Sequence, residues 1–220
     1  QRQMCIRDRI VSSYKIDRNK ISVVYNAVDQ KFACVEDKGL SADKYLFTVS
    51  SIKVNKNFGV AVNAFKIIQK RIPDLKLYIM GDMNADSFRN MGNLIEECSK
   101  NPNIKLLGRV SDNDLIRYYS NAVAFIFPSL YEGFGIPVLE AQACGCPVIS
   151  SNSSSLPEIL GDSALMCDPN NTNEFANAVL KLVNHKSLKE ILIDKGYENI
   201  KRFSWEKSAE KLLGLSLIHI

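Results

Sequence analysis

Two glutamates, Glu132 and Glu140, stand eight residues apart on either side of a short loop that contains Gly133 and Gly135. The loop follows an apolar run that is typical of a buried strand. Pro137, just after it, suits the first turn of a helix, because its missing N–H would have no partner there in any case. This arrangement of strand, glycine loop and helix start predicts a ligand site.

The helix start favours an anion. The amides of Phe134, Gly135 and Ile136 would open the helix, where the helix dipole is positive and the glycine lets a phosphate approach the backbone. Glu140 lies about one turn inside the helix, and its side chain tilts back towards the same place. Two carboxylates would repel a phosphate unless they bind other groups of the ligand. Hydroxyl groups fit, because they donate the hydrogen bonds that carboxylates accept. The combination predicts a nucleotide sugar as ligand.

The rest of the chain alternates strands with helices, and the strands are nearly continuously apolar. Strands are predicted at 44–50, 76–82, 103–110, 122–129, 147–151 and 163–168. Helices are predicted at 60–71, 88–100, 111–122, from Pro137, 156–160, 173–184, 187–201 and 205–214. The pattern indicates an α/β, doubly wound, Rossmann-like parallel sheet, in which ligands bind beyond the carboxyl ends of the strands.

Composition excludes several classes of protein. The chain has 220 residues, of which 46% are hydrophobic, so a sizeable core is expected, and its net charge is only +4. It lacks a basic run that would suggest a nucleic-acid partner, and no stretch of about 18 apolar residues predicts a membrane span. The six cysteines show no C-x-x-C spacing, which favours free thiols over disulfides or a metal site.

The two ends differ from the remainder in periodicity and composition. Residues 1–9, QRQMCIRDR, and residues 215–220, LSLIHI, are interpreted as non-native tails. Residues 10–214 are then one nucleotide-sugar-binding domain, with an interdomain linker near residues 10–35. This interpretation predicts that the chain is a piece of a larger protein.

The pattern PS-x-x-EGFG-x-P-x-x-E, in PSLYEGFGIPVLE, resembles the glutamate–seven–glutamate motif of the group 1 (family 4) glycosyltransferases, which are retaining enzymes of the GT-B fold. The resemblance runs from about Ile21 to Trp205. It is carried by the segments SVVYNAVD, VNKNF, DLKLYIMGD, IKLLGRVSDNDLIRYYSNA and SSSLPEILGDSALMCDP. It covers the carboxyl-terminal, donor-binding half of that fold, and it implies that the amino-terminal, acceptor-holding half is missing.

The resemblance also implies residue roles. Glu132 would contact the transferred sugar and act at the reaction centre, and Glu140 would bind the ribose hydroxyls. The backbone from Gly133 to Ile136, including Phe134 and Gly135, would hold the diphosphate together with Lys56. Val110 and Asp112 would contact the nucleobase.

One departure from the family pattern stands before Lys56. Many members carry Gly-Arg about five residues before that lysine, whereas this chain has Ser50-Ser51. The departure implies either weaker phosphate binding or substitution by Lys53.

Helix caps compete with function at three acidic positions. The segment from Ser111 to Asp114 is typical of an N-cap with an acid at the third position, which is an alternative to base recognition by Asp112. A cap also explains the D-x-D spelling of residues 112–114 better than a divalent metal does, and no metal or other cofactor is expected. The segment from Ser155 to Glu158 is predicted to be a capping box, with Glu158 structural.

Several functions remain open on these residues. A hexosyltransferase acting on a glycan or lipid-linked acceptor is favoured, with GDP-mannose as the preferred donor. The alternatives are a nucleotide-sugar-binding module without turnover and a GT-B sugar epimerase. A flavodoxin-like or dinucleotide-binding domain is disfavoured, since no G-x-G-x-x-G follows the first strand. We expect a cytoplasmic protein, with peripheral association of the full-length enzyme at the inner membrane face left open.

Overall fold

The computed structural model describes residues 6–37, 40, 43–49, 54–81 and 92–217. Six parallel strands form one sheet in the order β3-β2-β1-β4-β5-β6. The strands are β1 (Tyr45–Val49), β2 (Lys76–Met80), β3 (Ile104–Gly108), β4 (Ala124–Phe127), β5 (Val148–Ser151) and β6 (Leu165–Cys167). The predicted doubly wound α/β class is confirmed.

Helices cover the sheet and extend beyond it. In chain order they are α1 (Ile6–Tyr14), α2 (Phe58–Gln69), α3 (Gly92–Lys100), α4 (Asp112–Asn121), α5 (Ile136–Ala143), α6 (Leu156–Leu160), α7 (Thr172–Asn184), α8 (Lys186–Ile200) and α9 (Trp205–Leu217). Short 3₁₀ turns stand at Arg18–Lys20 and Val54–Lys56. None of the described helices is both long and apolar enough to cross a lipid bilayer.

The sheet is buried on both faces. Because side chains alternate along a strand, Phe47 and Phe125 belong to one apolar cluster, while Leu46 and Ile126 belong to another. Burial on both faces explains why the strands are continuously apolar.

The order of the strands creates the place for a site. β1 and β4 are neighbours at the centre of the sheet, and the chain runs outward from them in opposite directions. The loops that follow these two strands therefore diverge, which leaves a crevice at their carboxyl ends. Lys56 lies after β1 and the glycine loop lies after β4.

Most predicted elements are present, with ends displaced by a few residues. Helix α1 and the two 3₁₀ turns were not predicted. The predicted tails overlap structured residues, since α1 begins at Ile6 and α9 continues to Leu217. Their non-native origin stays a prediction, as do the domain limits at 10 and 214. Ser50, Ser51 and Lys53, and the predicted start of a helix at residue 88, lie outside the described residues.

Candidate functional site

The loop after β4 turns directly into α5 through a left-handed glycine. Gly135 is the N-cap of α5, with φ of 101°, and Pro137 occupies the first turn. A Cβ at Gly135 would lie 2.8 Å from Cδ2 of the buried Leu156, so neither the backbone angle nor the space suits a larger residue. The first amides of α5 have no partner within their own helix, as at any helix start, and they follow β4, the neighbour of β1 in the sheet. Anion binding at this helix start stays a prediction.

Lys56 and Glu132 meet at this crevice, although 76 residues separate them in the chain. Lys56 Nζ lies 2.6 Å from Glu132 Oε1, and only 18% and 12% of the two side chains is exposed. The ammonium group also lies 5.3 Å from the ring centroid of the buried Phe127. The structure thus brings together the predicted phosphate-binding cation and the predicted catalytic carboxylate as one ion pair.

Backbone contacts hold the loops after β1 and β4 to each other. Leu130 N donates to Asn55 O at 2.7 Å, and Asn55 Nδ2 donates to Tyr131 O at 3.2 Å. Asn57, which has a left-handed φ of 53°, starts α2 directly after Lys56. These bonds fix the distance between the two loops that carry Lys56 and Glu132.

The serines after β5 hold the glycine loop by its carbonyl groups. Ser154 Oγ donates to Glu132 O at 2.7 Å, and Ser155 Oγ donates to Glu132 O and Phe134 O, both at 3.1 Å. Ser153 Oγ donates to Leu130 O. The three hydroxyls therefore hold the backbone on both sides of Gly133, so the loop is set before any ligand arrives.

The prediction of a capping box at Ser155 is wrong. Ser155 is the N-cap of α6, but its backbone lies in the αR region instead of the extended region typical of a capping residue, and its side chain makes no capping bond. Its hydroxyl donates to the carbonyls of the glycine loop. Glu158 does not reach back to the cap either; its Oε1 accepts from Tyr25 Oη at 2.6 Å. Glu158 thus contacts the linker instead of the cap, and its structural role stays a prediction.

Glu140 is half-buried on α5, one turn after Pro137. Tyr119 Oη, from α4, donates to Glu140 Oε2 at 3.2 Å, and Tyr119 is fully buried. Burial raises the pKa of Glu140 above its ordinary value, while the bond from Tyr119 opposes that change. The nearby charges of Asp112 and Lys31 also act on this pKa, Asp112 raising it and Lys31 lowering it.

The cap at the start of α4 is confirmed, and Asp112 lies beside it. Ser111 Oγ accepts from Asp114 N at 3.2 Å, as a helix N-cap does. Asp112 takes no part in that bond, and instead its Oδ2 lies 2.7 Å from Lys31 Nζ. Val110, between β3 and α4, is half-buried. The cap therefore leaves the Asp112 carboxylate available to a ligand.

The ring of Phe134 packs on the protein. It lies 6.0 Å from the ring of Tyr25 and 5.6 Å from that of Phe203, measured between centroids. The ring links the glycine loop to the linker and to the end of α8. Only the backbone of Phe134 is therefore placed to contact a ligand.

The described cysteines are free thiols, with Cys34 exposed and Cys98, Cys144, Cys146 and Cys167 buried. In the part of the chain that the structure describes, no group of three or more His, Cys, Asp or Glu side chains is arranged to hold a metal ion. Asp114, in the D-x-D segment, pairs with Arg117 at 3.1 Å.

Sequence reasoning missed Lys31, Tyr119 and the separate roles of the serines. The serines at 151 and 153–155 end or follow β5, but no local pattern shows which carbonyls their hydroxyls reach. Tyr119 has helical core spacing, and only its distance from Glu140 distinguishes it. Lys31 has no signal beyond its place in the linker.

The family of the chain follows from its similarity to known proteins. The profile of the family described as "Glycosyl transferases group 1" matches residues 35–199. O-antigen chain mannosyltransferase B of Escherichia coli is 33% identical over 162 residues, which cover 74% of this chain and 42% of that protein. O-antigen chain mannosyltransferase RfbU of Salmonella typhimurium is 30% identical over 175 residues, which cover 79% of this chain and 47% of that protein. The chain thus spans less than half the length of these two relatives.

Solved structures show the same fold. A glycosyltransferase from Rickettsia africae superposes with a TM-score of 0.81 at 22% identity, over 96% of this chain and 60% of that one. The carboxyl-terminal domain of a group 1 glycosyltransferase, LpcC, from Francisella tularensis superposes with a TM-score of 0.68 at 21% identity, over 80% of this chain and 97% of that one. The sheet is accordingly one Rossmann-like half of a GT-B fold. With the family profile covering most of its length, the chain belongs to the group 1 glycosyltransferases.

Proposed function

We propose that the chain is the donor-binding half of a retaining hexosyltransferase. The observation that carries the proposal is the Lys56–Glu132 ion pair, which lies at the crevice between β1 and β4, beside the start of α5. The loops after β1 and β4 together carry three groups: a cation for a diphosphate, a carboxylate for a sugar, and the amides of a helix start. Glu140 follows one turn later.

The diphosphate of the donor binds to the first amides of α5 and to Lys56. Its negative charge competes with Glu132 for the ammonium group, so donor binding releases the Glu132 carboxylate. The released carboxylate then accepts hydrogen bonds from the hexose and stabilises positive charge near the anomeric carbon. In the empty protein each of these two charged groups keeps the other neutralised in a partly buried place.

Glu140 accepts hydrogen bonds from the ribose hydroxyls. The bond from Tyr119 Oη occupies Oε2 only, so the other oxygen remains for the ligand. When the diphosphate is bound to the α5 amides and Lys56, and the ribose to Glu140, the hexose lies next to Glu132. Transfer then breaks the bond between the anomeric carbon and the diphosphate oxygen, joins the hexose to an acceptor hydroxyl, and releases the nucleoside diphosphate and one proton.

The donor is a nucleoside-diphosphate hexose, with GDP-mannose preferred. Two relatives of this chain carry the name O-antigen chain mannosyltransferase, which supports mannose and an acceptor that is a glycan or a lipid-linked glycan. Donor binding is proposed to need no metal, because Lys56 and the helix start supply the positive charge. The whole enzyme would act in the cytoplasm, with the inner membrane face as the place of a lipid-linked acceptor.

Titration calorimetry tests donor binding. The chain is titrated with GDP, UDP, ADP and GDP-mannose, with and without a chelator, and we expect binding of at least one nucleoside diphosphate that the chelator leaves unchanged. Failure of all four ligands to bind, or binding that disappears with the chelator, would contradict the proposal.

Two variants in the same titration separate the roles of the glutamates. Glu140→Ala should weaken nucleoside diphosphate binding by about 1.5–3 kcal/mol, because a hydrogen bond to a charged group is lost. Glu132→Gln should not weaken nucleoside diphosphate binding, since Lys56 is then free, but should weaken binding of GDP-mannose. Equal losses of diphosphate affinity in both variants would show that these roles are misassigned.

A further inference from the structure

Lys31 is a charged residue of the linker that reaches the site. Its backbone N donates to Asp29 Oδ1 at 3.0 Å, and Phe32 N donates to Asp29 O at 3.0 Å, so a tight turn holds it. The next residue, Phe32, is buried in the core. From this anchored turn Lys31 Nζ extends to Asp112 Oδ2 at 2.7 Å and to Asp29 Oδ2 at 3.5 Å.

The pair formed by Lys31 and Asp112 stands next to Glu140. Asp112 lies on α4 two turns before Tyr119, whose hydroxyl bonds to Glu140, so both residues lie on the face of α4 that is turned towards Glu140. In the proposed function the diphosphate occupies the start of α5 and the ribose occupies Glu140. The base, which is joined to the far side of the ribose, then extends towards α4 and the Lys31–Asp112 pair.

The two side chains present a specific order of hydrogen-bonding groups. Lys31 offers donors only, and the Asp112 carboxylate offers acceptors only. Guanine presents the complementary order along one edge: the O6 acceptor, then the N1–H donor, then the N2 amino donor. Because O6 and N1 are neighbours on the ring, their partners must also be neighbours, as the two groups of this ion pair are.

We propose that Lys31 is a specificity-determining residue that donates to O6 of a guanine base while Asp112 accepts from N1 and N2. The inference rests on the proposed function and names the base of its donor. Uracil offers one N–H between two carbonyl oxygens. Its second carbonyl oxygen would face the carboxylate at the place where guanine offers the N2 amino group. Adenine offers an amino donor and a ring acceptor in the reverse order. Sites that hydrogen-bond a substrate edge discriminate strongly against analogues that lack it.

The ion pair opens to a ligand at low cost. The side chains of Lys31 and Asp112 are 46% and 63% exposed, and pairs of that exposure contribute little to stability. A base can therefore enter between them or against both without breaking a strong interaction.

Affinities of GDP, inosine diphosphate and UDP for Lys31→Met and the unchanged chain test the proposal. Inosine diphosphate keeps O6 and N1–H but lacks the N2 amino group. Lys31→Met is expected to weaken the binding of GDP and of inosine diphosphate by the same factor, about 5- to 20-fold, because both ligands lose the hydrogen bond to O6. UDP affinity should change far less. Asp112→Asn should abolish the preference for GDP over inosine diphosphate.

Lys195→Met is the matched control. Lys195 pairs with Asp162 at 2.5 Å and its side chain is 44% exposed, but it lies on α8, outside the donor site. The affinities of Lys195→Met for the three diphosphates should equal those of the unchanged chain.

Three results would overturn the assignment of Lys31. The first is that Lys31→Met loses equal affinity for GDP and for UDP. The second is that this variant binds GDP more tightly than the unchanged chain does. The third is that the unchanged chain prefers UDP to GDP. The first would mean that Lys31 acts only through its charge on the phosphates, and the second that it competes with the base. In all three cases the chain still binds a nucleoside diphosphate. No binding of any diphosphate to the unchanged chain would overturn the proposed function itself.

Discussion

At the scale of single residues, Glu140 carries a conflict between folding and binding. Its burial raises its pKa, so the ionised carboxylate that a ribose needs is also the form that the fold disfavours. A carboxyl whose folded-state pKa lies above its unfolded value stabilises the protein fully below the unfolded value. That contribution is lost as pH rises through the folded-state pKa.

Glu140→Gln should therefore gain stability over the unchanged chain as pH rises. The amide does not titrate, and it keeps an oxygen that can accept from Tyr119. Denaturant midpoints of both proteins, taken at intervals from pH 4 to pH 8, measure the difference in their stability. Groups that titrate alike in the two proteins cancel in this difference. We expect the difference to move in favour of the variant across that range. A difference that stays constant, or that moves in favour of the unchanged chain, would show that Glu140 is not destabilised by burial.

At the scale of elements, the site depends on one sharp change of direction between β4 and α5. Gly135 makes that turn with φ of 101°, against the side chain of Leu156 from α6. The serines of the β5–α6 connection hold the same loop by its carbonyls. The loop and α6 thus support each other, and a defect at Gly135 acts on both.

Gly135→Ala should destabilise the fold by about 2–4 kcal/mol, from the left-handed backbone and the contact with Leu156. Gly133→Ala is the control from the same loop, because nothing lies within 4 Å of a Cβ there. Its stability should stay within about 0.5 kcal/mol of the unchanged chain. Chemical denaturation measures both variants. Similar stabilities of the two variants would contradict the account of the turn.

At the scale of the whole molecule, we predict that the chain forms one wall of a cleft between donor and acceptor. Apolar side chains are exposed at both ends of the described chain, with Tyr14 74% exposed and Leu212 and Leu213 61% and 63% exposed. We expect these side chains to contact the second half of the enzyme. The chain also spans only 42% of one mannosyltransferase relative and 47% of another.

We therefore predict that the chain alone binds donor but does not transfer hexose. Positioning of donor and acceptor in one dry site contributes about 7–11 kcal/mol, and a single wall cannot provide it. The measurement is hexose transfer from GDP-mannose to a glycan or lipid-linked acceptor, by this chain and by this chain joined to the amino-terminal half of a group 1 relative. Donor affinity of the chain, measured in parallel, is the control for folding. Comparable turnover by both proteins would contradict the need for a second half.

Local sequence patterns determined the strands of the sheet, and they predict a site in the loop after β4. Apolar runs and helical spacing predicted all six strands and their order along the chain, since both are properties of neighbouring residues. Gly135 and Pro137 predicted the start of α5 to within one residue, because their backbone preferences are intrinsic. The family motif then assigned roles to Glu132 and Glu140.

Only the tertiary structure decided which side chains meet. The pairs Lys56–Glu132 and Lys31–Asp112 join residues 76 and 81 positions apart, and the bonds from Ser155 to the glycine loop span more than 20. Ser155 is typical of a helix cap in the sequence, but in the folded chain its hydroxyl bonds to the carbonyls of the glycine loop, which lie within its reach only in the tertiary structure. Local periodicity carries no information on such contacts. The contacts of Lys56 and Ser155 arise where the loops after β1, β4 and β5 meet, since these three strands are neighbours in the sheet. The Lys31–Asp112 pair joins the segment before β1 to the start of α4.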